Sequence, residues 1–369
     1  MKTKQNIPKA PVIKYKPDDF KVFELGSEEI EQGKRKERGQ YGLFLLEKKN
    51  VDMMKAIKWI ASELRIPQKF VSFSGTKDKK ALTKQYISIK SKYNKEFEIQ
   101  KKDGAYVRIE RVGFTDKPIS LGTHDINRFR ITVRNLDDSF CINERFSWNN
   151  IPNYFHNQRF GIQGNNHIIG EYIIRGEYKK AWMLAKEQKS GKKKGKIDEE
   201  SKENSINSLR RMNRKLAGLY VSAFQSYIFN KAVSNWIRGR FNHFWVEYNA
   251  GELAFIKEES GRINNQKVML PGFGFELNGE IGRYIQEEME KLKIEPRDFI
   301  IRQLPRLSAE AVERDLFIEV NQAKNPILEK DECFKGKKKL ILDFGLGKGS
   351  YATIVIAALC REAPVEFKR

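Results

Sequence analysis

Stretches with strand character and stretches with helix character follow one another along this chain without a regular strand–helix–strand rhythm, which constrains its fold more than any other feature. Residues 42–47 (GLFLLE) are apolar and of strand length. Asn50 or Asp52 is then placed to cap a helix running to about Arg65, where Met53, Ile57, Ile60 and Leu64 recur at helical steps. Pro67 ends it. Residues 70–74 and 86–89 read as short strands, and alternation returns over 105–112 and 129–134. The charged run 28–38 reads as sheet-poor. The strongest helical signal covers 208–237, with Leu216, Leu219, Tyr220, Ala223, Tyr227 and Ile228 on one apolar face. A doubly wound parallel sheet needs repeated βαβ units, so this interleaving predicts an α+β protein. At 369 residues the chain has room for about two domains.

Charge narrows the partner. Seventy Lys and Arg against 48 Asp and Glu give a net charge of +22. Such an excess repels itself in the compact state and points to a polyanion, with nucleic acid foremost. No apolar run reaches the roughly 18 residues of a spanning helix, and the first residues carry no hydrophobic signal core. A cytoplasmic protein without a membrane partner is expected. Cys141, Cys333 and Cys360 are far apart, and neither CxxC nor HxxxH occurs, so neither a disulfide framework nor a metal is expected. Residues 186–196 (KEQKSGKKKGK), with Lys192, Lys193 and Lys194, read either as a solvated loop or as an arm that contacts RNA phosphates.

Two C-terminal motifs suggest other chemistry. DFG at 343–345 matches a kinase magnesium motif, but no HRD loop precedes it and too little chain follows it. LILDFGLGKGS has the strand and acid-x-Gly-x-Gly-x-Gly of nucleotide-binding folds, including adenosylmethionine-dependent methyltransferases. Such folds need more strands downstream than the sequence supplies. Methyltransferase is therefore carried as an alternative, and so is a non-catalytic RNA-binding protein.

The chemistry centres on residues 75–85, GTKDKKALTKQ, a polar loop between strand candidates. Gly75 precedes Lys77 and Asp78 on a turn that can present a carboxylate at a sheet edge. The adjacent Lys77 would favour the ionised form of Asp78. Taken alone, the pattern also fits an ordinary surface turn on a basic protein.

Gly75, Lys77, Asp78, Ala81, Thr83 and Gln85 match Gly-x-Lys-Asp-x-x-Ala-x-Thr-x-Gln, and the stretch resembles the signature of TruD-type pseudouridine synthases. Further stretches are similar to that family in its own order: KPDDFKVFE (16–24), INRFRITVRN (126–135), IPNYFHNQRFG (151–161), LYVSAFQSYIFN (219–230), LPGFG (270–274) and GSYAT (349–353). The resemblance spans nearly the whole chain. His156, Ile126 and Gly347 depart from the pattern at loop positions.

The resemblance implies an α+β catalytic domain with a mixed, mainly antiparallel sheet, made of residues 1–158 and 307–369, with a family-specific α+β domain inserted over 159–306. It implies isomerisation of uridine to pseudouridine in tRNA, at position 13 of the D arm; it implies no protein partner, and the reaction needs no cofactor. That reaction breaks N1–C1′ and joins C5 to C1′ without net gain or loss of atoms. Positive character develops on the sugar, the problem glycosidases meet with a carboxylate. By resemblance Asp78 is the catalytic carboxylate, Lys77 its basic partner, Asn127 the residue that orients it, and Phe129 the ring that stacks on the flipped-out base. Lys21 and Glu24 are expected in the pocket. Arg159 either contacts RNA phosphate or braces the structure.

Overall fold

Apolar alternation in the N-terminal third becomes one extended sheet. The computed structural model describes residues 10–93, 95–120, 126–143, 146–190, 202–257 and 263–366. The chain divides into two units, the first made of Met1–Ile142, Glu319–Ala352 and Pro364–Arg369, the second of Asn143–Ile318 and Thr353–Ala363.

The first unit opens with β1 (Val12–Ile13), β2 (Phe20–Leu25), helix α1 (Glu28–Lys34), β3 (Tyr41–Lys49) and helix α2 (Met53–Glu63). It continues through β4 (Val71–Phe73), β5 (Leu82–Lys90), β6 (Phe97–Gln100), β7 (Tyr106–Thr115) and β8 (Ile126–Leu136). The second unit follows: α3 (Asn157–Phe160), α4 (Asn166–Ile174), α5 (Tyr178–Ser190), α6 (Lys202–Arg211), α7 (Arg214–Arg240), hairpin β9–β10 (His243–Tyr248, Gly251–Ile256), β11 (Lys267–Met269), α8 (Gly279–Lys291) and β12 (Glu313–Asp315). The chain then returns to the first unit through β13 (Val320–Asn321), β14 (Ile327–Lys330) and β15 (Lys338–Gly347), contributes all but the first residue of α9 (Ala352–Cys360) to the second unit, and ends in the first with β16 (Val365–Glu366).

Among the described residues the first unit's sheet runs β13-β15-β8-β2-β5-β3-β7-β6, with β14 on β15, β4 on β5, and β1 on both β8 and β16. Only β2–β5 and β1–β16 are parallel. The sheet is mixed and mainly antiparallel, and the fold is α+β. No helix among the described residues is long and apolar enough to cross a membrane.

Each face of the sheet has its own cover. Asp52 caps α2 by accepting from the Lys55 amide at 2.9 Å, and Met53, Ala56, Ile57, Ile60 and Ala61 are buried in one core with Phe44, Leu46, Ile87, Val107 and Ile109. Burying each large apolar side chain of this kind stabilises the fold by about 1.5–3 kcal/mol. On the other face Ile30 of α1 joins Leu43, Tyr86 and Ile119. The run 28–38, read as charged and sheet-poor, starts with a helix. Glu28, Glu29 and Glu31 sit in its first turn, where acidic side chains complement the helix dipole.

In the second unit the expected helix over 208–237 is two helices. Asn213 separates them, its side chain accepting from the Lys215 and Leu216 amides to cap α7. Instead of showing one apolar face, α7 is buried nearly all round from Ala217 to Ile237. Gly170 of α4 lets that helix close on it, since a Cβ there would lie 2.1 Å from the Tyr220 carbonyl oxygen. The unit extends beyond the expected 159–306 because residues before 159 pack onto α7 and β10. Asn230 bonds the Phe155 backbone at both its amide (3.0 Å) and its carbonyl (2.8 Å), and the Tyr154 hydroxyl donates to the Ala254 carbonyl at 2.7 Å.

Candidate active site

Strand register decides which polar residues share a face. Glu24 pairs with Asn127, and Val22 with both Phe129 and Thr83; Phe129 pairs in turn with Phe344, and Thr83 with Lys48. Paired residues point to the same side, so Glu24, Asn127, Phe129, Thr83 and Lys48 lie on the face that α2 covers. Lys21, one residue before Val22, points to the other face. The expectation that Lys21 and Glu24 share one pocket is therefore corrected: strand alternation separates them.

Asp78 sits on the loop between β4 and β5, its side chain about one-third exposed. Several contacts fix that loop. The Gln85 side chain donates to the Gly75 carbonyl at 2.9 Å, and the Lys48 ammonium donates to the Asp78 carbonyl at 2.8 Å. Residues 82–85, read as loop because Thr83 and Gln85 are polar, begin β5 instead. Both are fully buried.

The cation at the Asp78 carboxylate is Lys14, the residue after β1, with Nζ 3.3 Å from Oδ2. Lys14 is buried, holds a left-handed backbone at φ 55°, pairs also with Glu366 at 2.5 Å, and lies 4.6 Å above the Phe20 ring. Phe20 meets Phe129 edge-on at 6.2 Å, and Phe129 stacks on Phe344 at 5.9 Å. Asp78, Lys14, Phe20 and Phe129 thus form a continuous chain of contacts from carboxylate to aromatic wall.

Lys77 has a different role from the expected one. Its ammonium donates to Asn127 Oδ1 at 2.8 Å and pairs with Glu24 at 3.1 Å, and Glu24 also accepts from the Ser74 hydroxyl at 2.5 Å. Among the described residues no hydrogen bond joins Asn127 to Asp78. Lys77 and Asn127 bind each other instead. This partly buried Glu24–Lys77–Asn127 cluster ties the loop to β2 and β8.

A second buried network fixes the segment carrying Lys14. Arg134 of β8 grips both oxygens of Asp19 at 2.9 and 2.8 Å and also bonds Asp331 and Glu332. These carboxylates hold the guanidinium charged, outweighing the opposite effect of burial.

Arg159 turns inward within the second unit. It donates to the Ser222 hydroxyl at 3.0 Å and stacks over the Phe155 ring, which favours the bracing role. Lys192, Lys193 and Lys194 lie outside the described residues. The glycine-rich candidate at 343–347 is strand rather than cofactor loop: Gly345 and Gly347 pair with Arg128 and Ile126 in the ladder, and Asp343 is bound by Arg128 at 2.8 Å.

Lys14 and Lys48 were the residues that sequence reasoning missed. Lysines are too common here for Lys14 to stand out. Lys48 had a signal, since it continues the inward series Phe44, Leu46 of β3 with a charge.

The first unit is a mixed, mainly antiparallel sheet of an α+β protein that carries an ion-paired carboxylate beside an aromatic wall. The chain matches the family tRNA pseudouridine synthase D (TruD) over residues 8–200 and 196–359, and it belongs to that family. It is similar to the probable tRNA pseudouridine synthase D 2 of Methanocaldococcus jannaschii, 31% identical over 93% of this chain and 90% of that one. It is 28% identical to the tRNA pseudouridine synthase D of Aquifex aeolicus, over 94% of this chain and 97% of that protein. The crystal structure of the putative tRNA pseudouridine synthase D (TruD) from Methanosarcina mazei matches the fold with a TM-score of 0.67 at 24% identity, covering 96% of this chain and 94% of that one.

Proposed function

We propose that this chain converts uridine 13 in the D arm of tRNA to pseudouridine, with Asp78 as the carboxylate that meets C1′ of the flipped-out nucleotide. The reaction class, isomerisation of a uridine in tRNA, comes with family membership. The observation that carries the residue assignment is the Lys14–Asp78 ion pair, which places a held carboxylate on a loop beside the Phe20–Phe129 wall.

The target base leaves its stack at a cost of a few kcal/mol. Stacking against Phe129 recovers about 1–3 kcal/mol of that. As N1–C1′ breaks, positive character on C1′ is met by the Asp78 carboxylate, and Lys14 fixes that carboxylate in place. The base turns, C5 joins C1′, the C5 hydrogen leaves as a proton, and N1 ends protonated. The +22 charge of the chain supports phosphate contacts, so affinity should fall steeply with salt.

The test uses a tRNA transcript with uridine at position 13 and a second transcript with cytidine there. After incubation, pseudouridine is mapped by carbodiimide treatment and primer extension. A new stop at position 13 in the first transcript alone supports the assignment. Modification at another uridine would contradict the position and leave the reaction class standing.

A further inference from the structure

Lys48 is a charged side chain with no exposed surface, on a face where its strand neighbours Phe44 and Leu46 are core residues. Its ammonium has three protons to donate. Three carbonyl oxygens surround it: Asp78 at 2.8 Å, Val51 at 3.0 Å and Lys77 at 3.4 Å. Among the described residues no carboxylate forms an ion pair with it. Burying an ammonium against neutral acceptors alone is costly, and an apolar residue would fill this position at less cost. Stability alone therefore does not explain a lysine here. What it does is join two consecutive carbonyls of the Asp78 loop to the turn that leads into α2.

We propose that Lys48 is a positioning residue for the isomerisation, its ammonium clamping the backbone of residues 77 and 78 so that the Asp78 carboxylate is held toward the sugar. This rests on the reading of Asp78 as the catalytic carboxylate. Among the described residues the Lys48 ammonium hydrogen-bonds backbone carbonyls alone, so it acts through Asp78. A misplacement of about 1 Å in a catalytic group is enough to cost roughly 10²-fold in rate.

The clamp also titrates. Burial pushes the Lys48 ammonium down, Asp78 and Asp52 pull it partly back and Lys77 pushes it down, which leaves it at about 8. Above that pH the neutral amine has one proton fewer than there are carbonyls to hold. The loop then loosens. RNA affinity, set by phosphate contacts elsewhere, stays level.

The test compares wild type, Lys48→Met and Lys48→Arg in single-turnover tritium release from tRNA labelled at uridine C5, over about pH 6.5 to 9.5, with tRNA affinity measured in parallel. We expect the wild-type rate to fall above about pH 8 at constant affinity. Lys48→Met should lose about 10²-fold in rate with affinity retained. Lys48→Arg, which stays charged throughout this range, should lack the alkaline fall. A wild-type rate that stays level to about pH 9.5 overturns the proposal. So does a Lys48→Met protein that turns over at the wild-type rate, or an alkaline fall unchanged in Lys48→Arg. If Lys48→Met does not fold, the wild-type and Arg profiles decide. Full activity in Asp78→Asn would instead overturn the catalytic reading beneath the proposal, however the Lys48 variants behave.

Discussion

Lys14 Nζ lies 3.3 Å from the Asp78 carboxylate, although 64 positions separate the two residues, while the adjacent Lys77 turns to Glu24 and Asn127. The partner of the proposed catalytic carboxylate is thus set by the sheet, which brings the end of β1 to the β4–β5 loop. It follows that Lys14→Met should lower the single-turnover rate by about 10²–10³-fold, the cost of removing one charge-stabilising donor from an active site. Filter binding should show tRNA affinity little changed, because Lys14 is buried and pairs with carboxylates.

The Glu24–Lys77 pair should act on stability as well as on rate. Both side chains are buried, and deleting one partner leaves the other uncompensated, at a cost of about 3–5 kcal/mol. Glu24→Ala also leaves the Ser74 hydroxyl without its acceptor. Urea unfolding should report the loss. Replacing both partners together with apolar residues should cost much less than the sum of the single changes.

Phe129→Ala should lose the stacking of the flipped base, about 1–3 kcal/mol, seen as a roughly tenfold to hundredfold drop in rate at saturating tRNA. Phe129→Tyr keeps the ring and should retain most of the rate. Equal losses in both variants would show that the ring serves packing against Phe344 rather than the base.

Two histidines should make the protein acid-sensitive. Burial pushes His156 down to about 4, and it pushes His167, stacked on Tyr227 at 4.4 Å, to about 4 as well. In the unfolded chain each takes up a proton below about pH 6.5. Between about 6.5 and 4 the unfolded state therefore binds more protons, so stability falls as pH drops through that window. The loss should reach at most about 3 kcal/mol for His156, and less for His167, which is only partly buried. Urea midpoints at about pH 7 and pH 5 check this, and His156→Gln should flatten the dependence.

The sequence carried the fold class because strand and helix periodicities are local properties. Helix α2 was legible from its apolar spacing, its Asp52 cap and Pro67. What stayed hidden came from tertiary contacts. Register put Lys21 on the wrong face for a pocket with Glu24, the Asn213 cap split a continuous helical pattern, and the packing of Tyr154 and Phe155 onto the second unit moved its boundary. The Asp78 loop was legible as a motif, but its cation was not, since nothing local to Lys14 marks it among so many lysines.

The central claim, that Asp78 is the carboxylate on which isomerisation depends, is tested most directly by tritium release from tRNA labelled at uridine C5. Wild type and Asp78→Asn are compared at enzyme concentrations that saturate binding for both. The account predicts release by wild type, and none above background by Asp78→Asn, with matched tRNA affinity. Release by Asp78→Asn at a rate near wild type would contradict it.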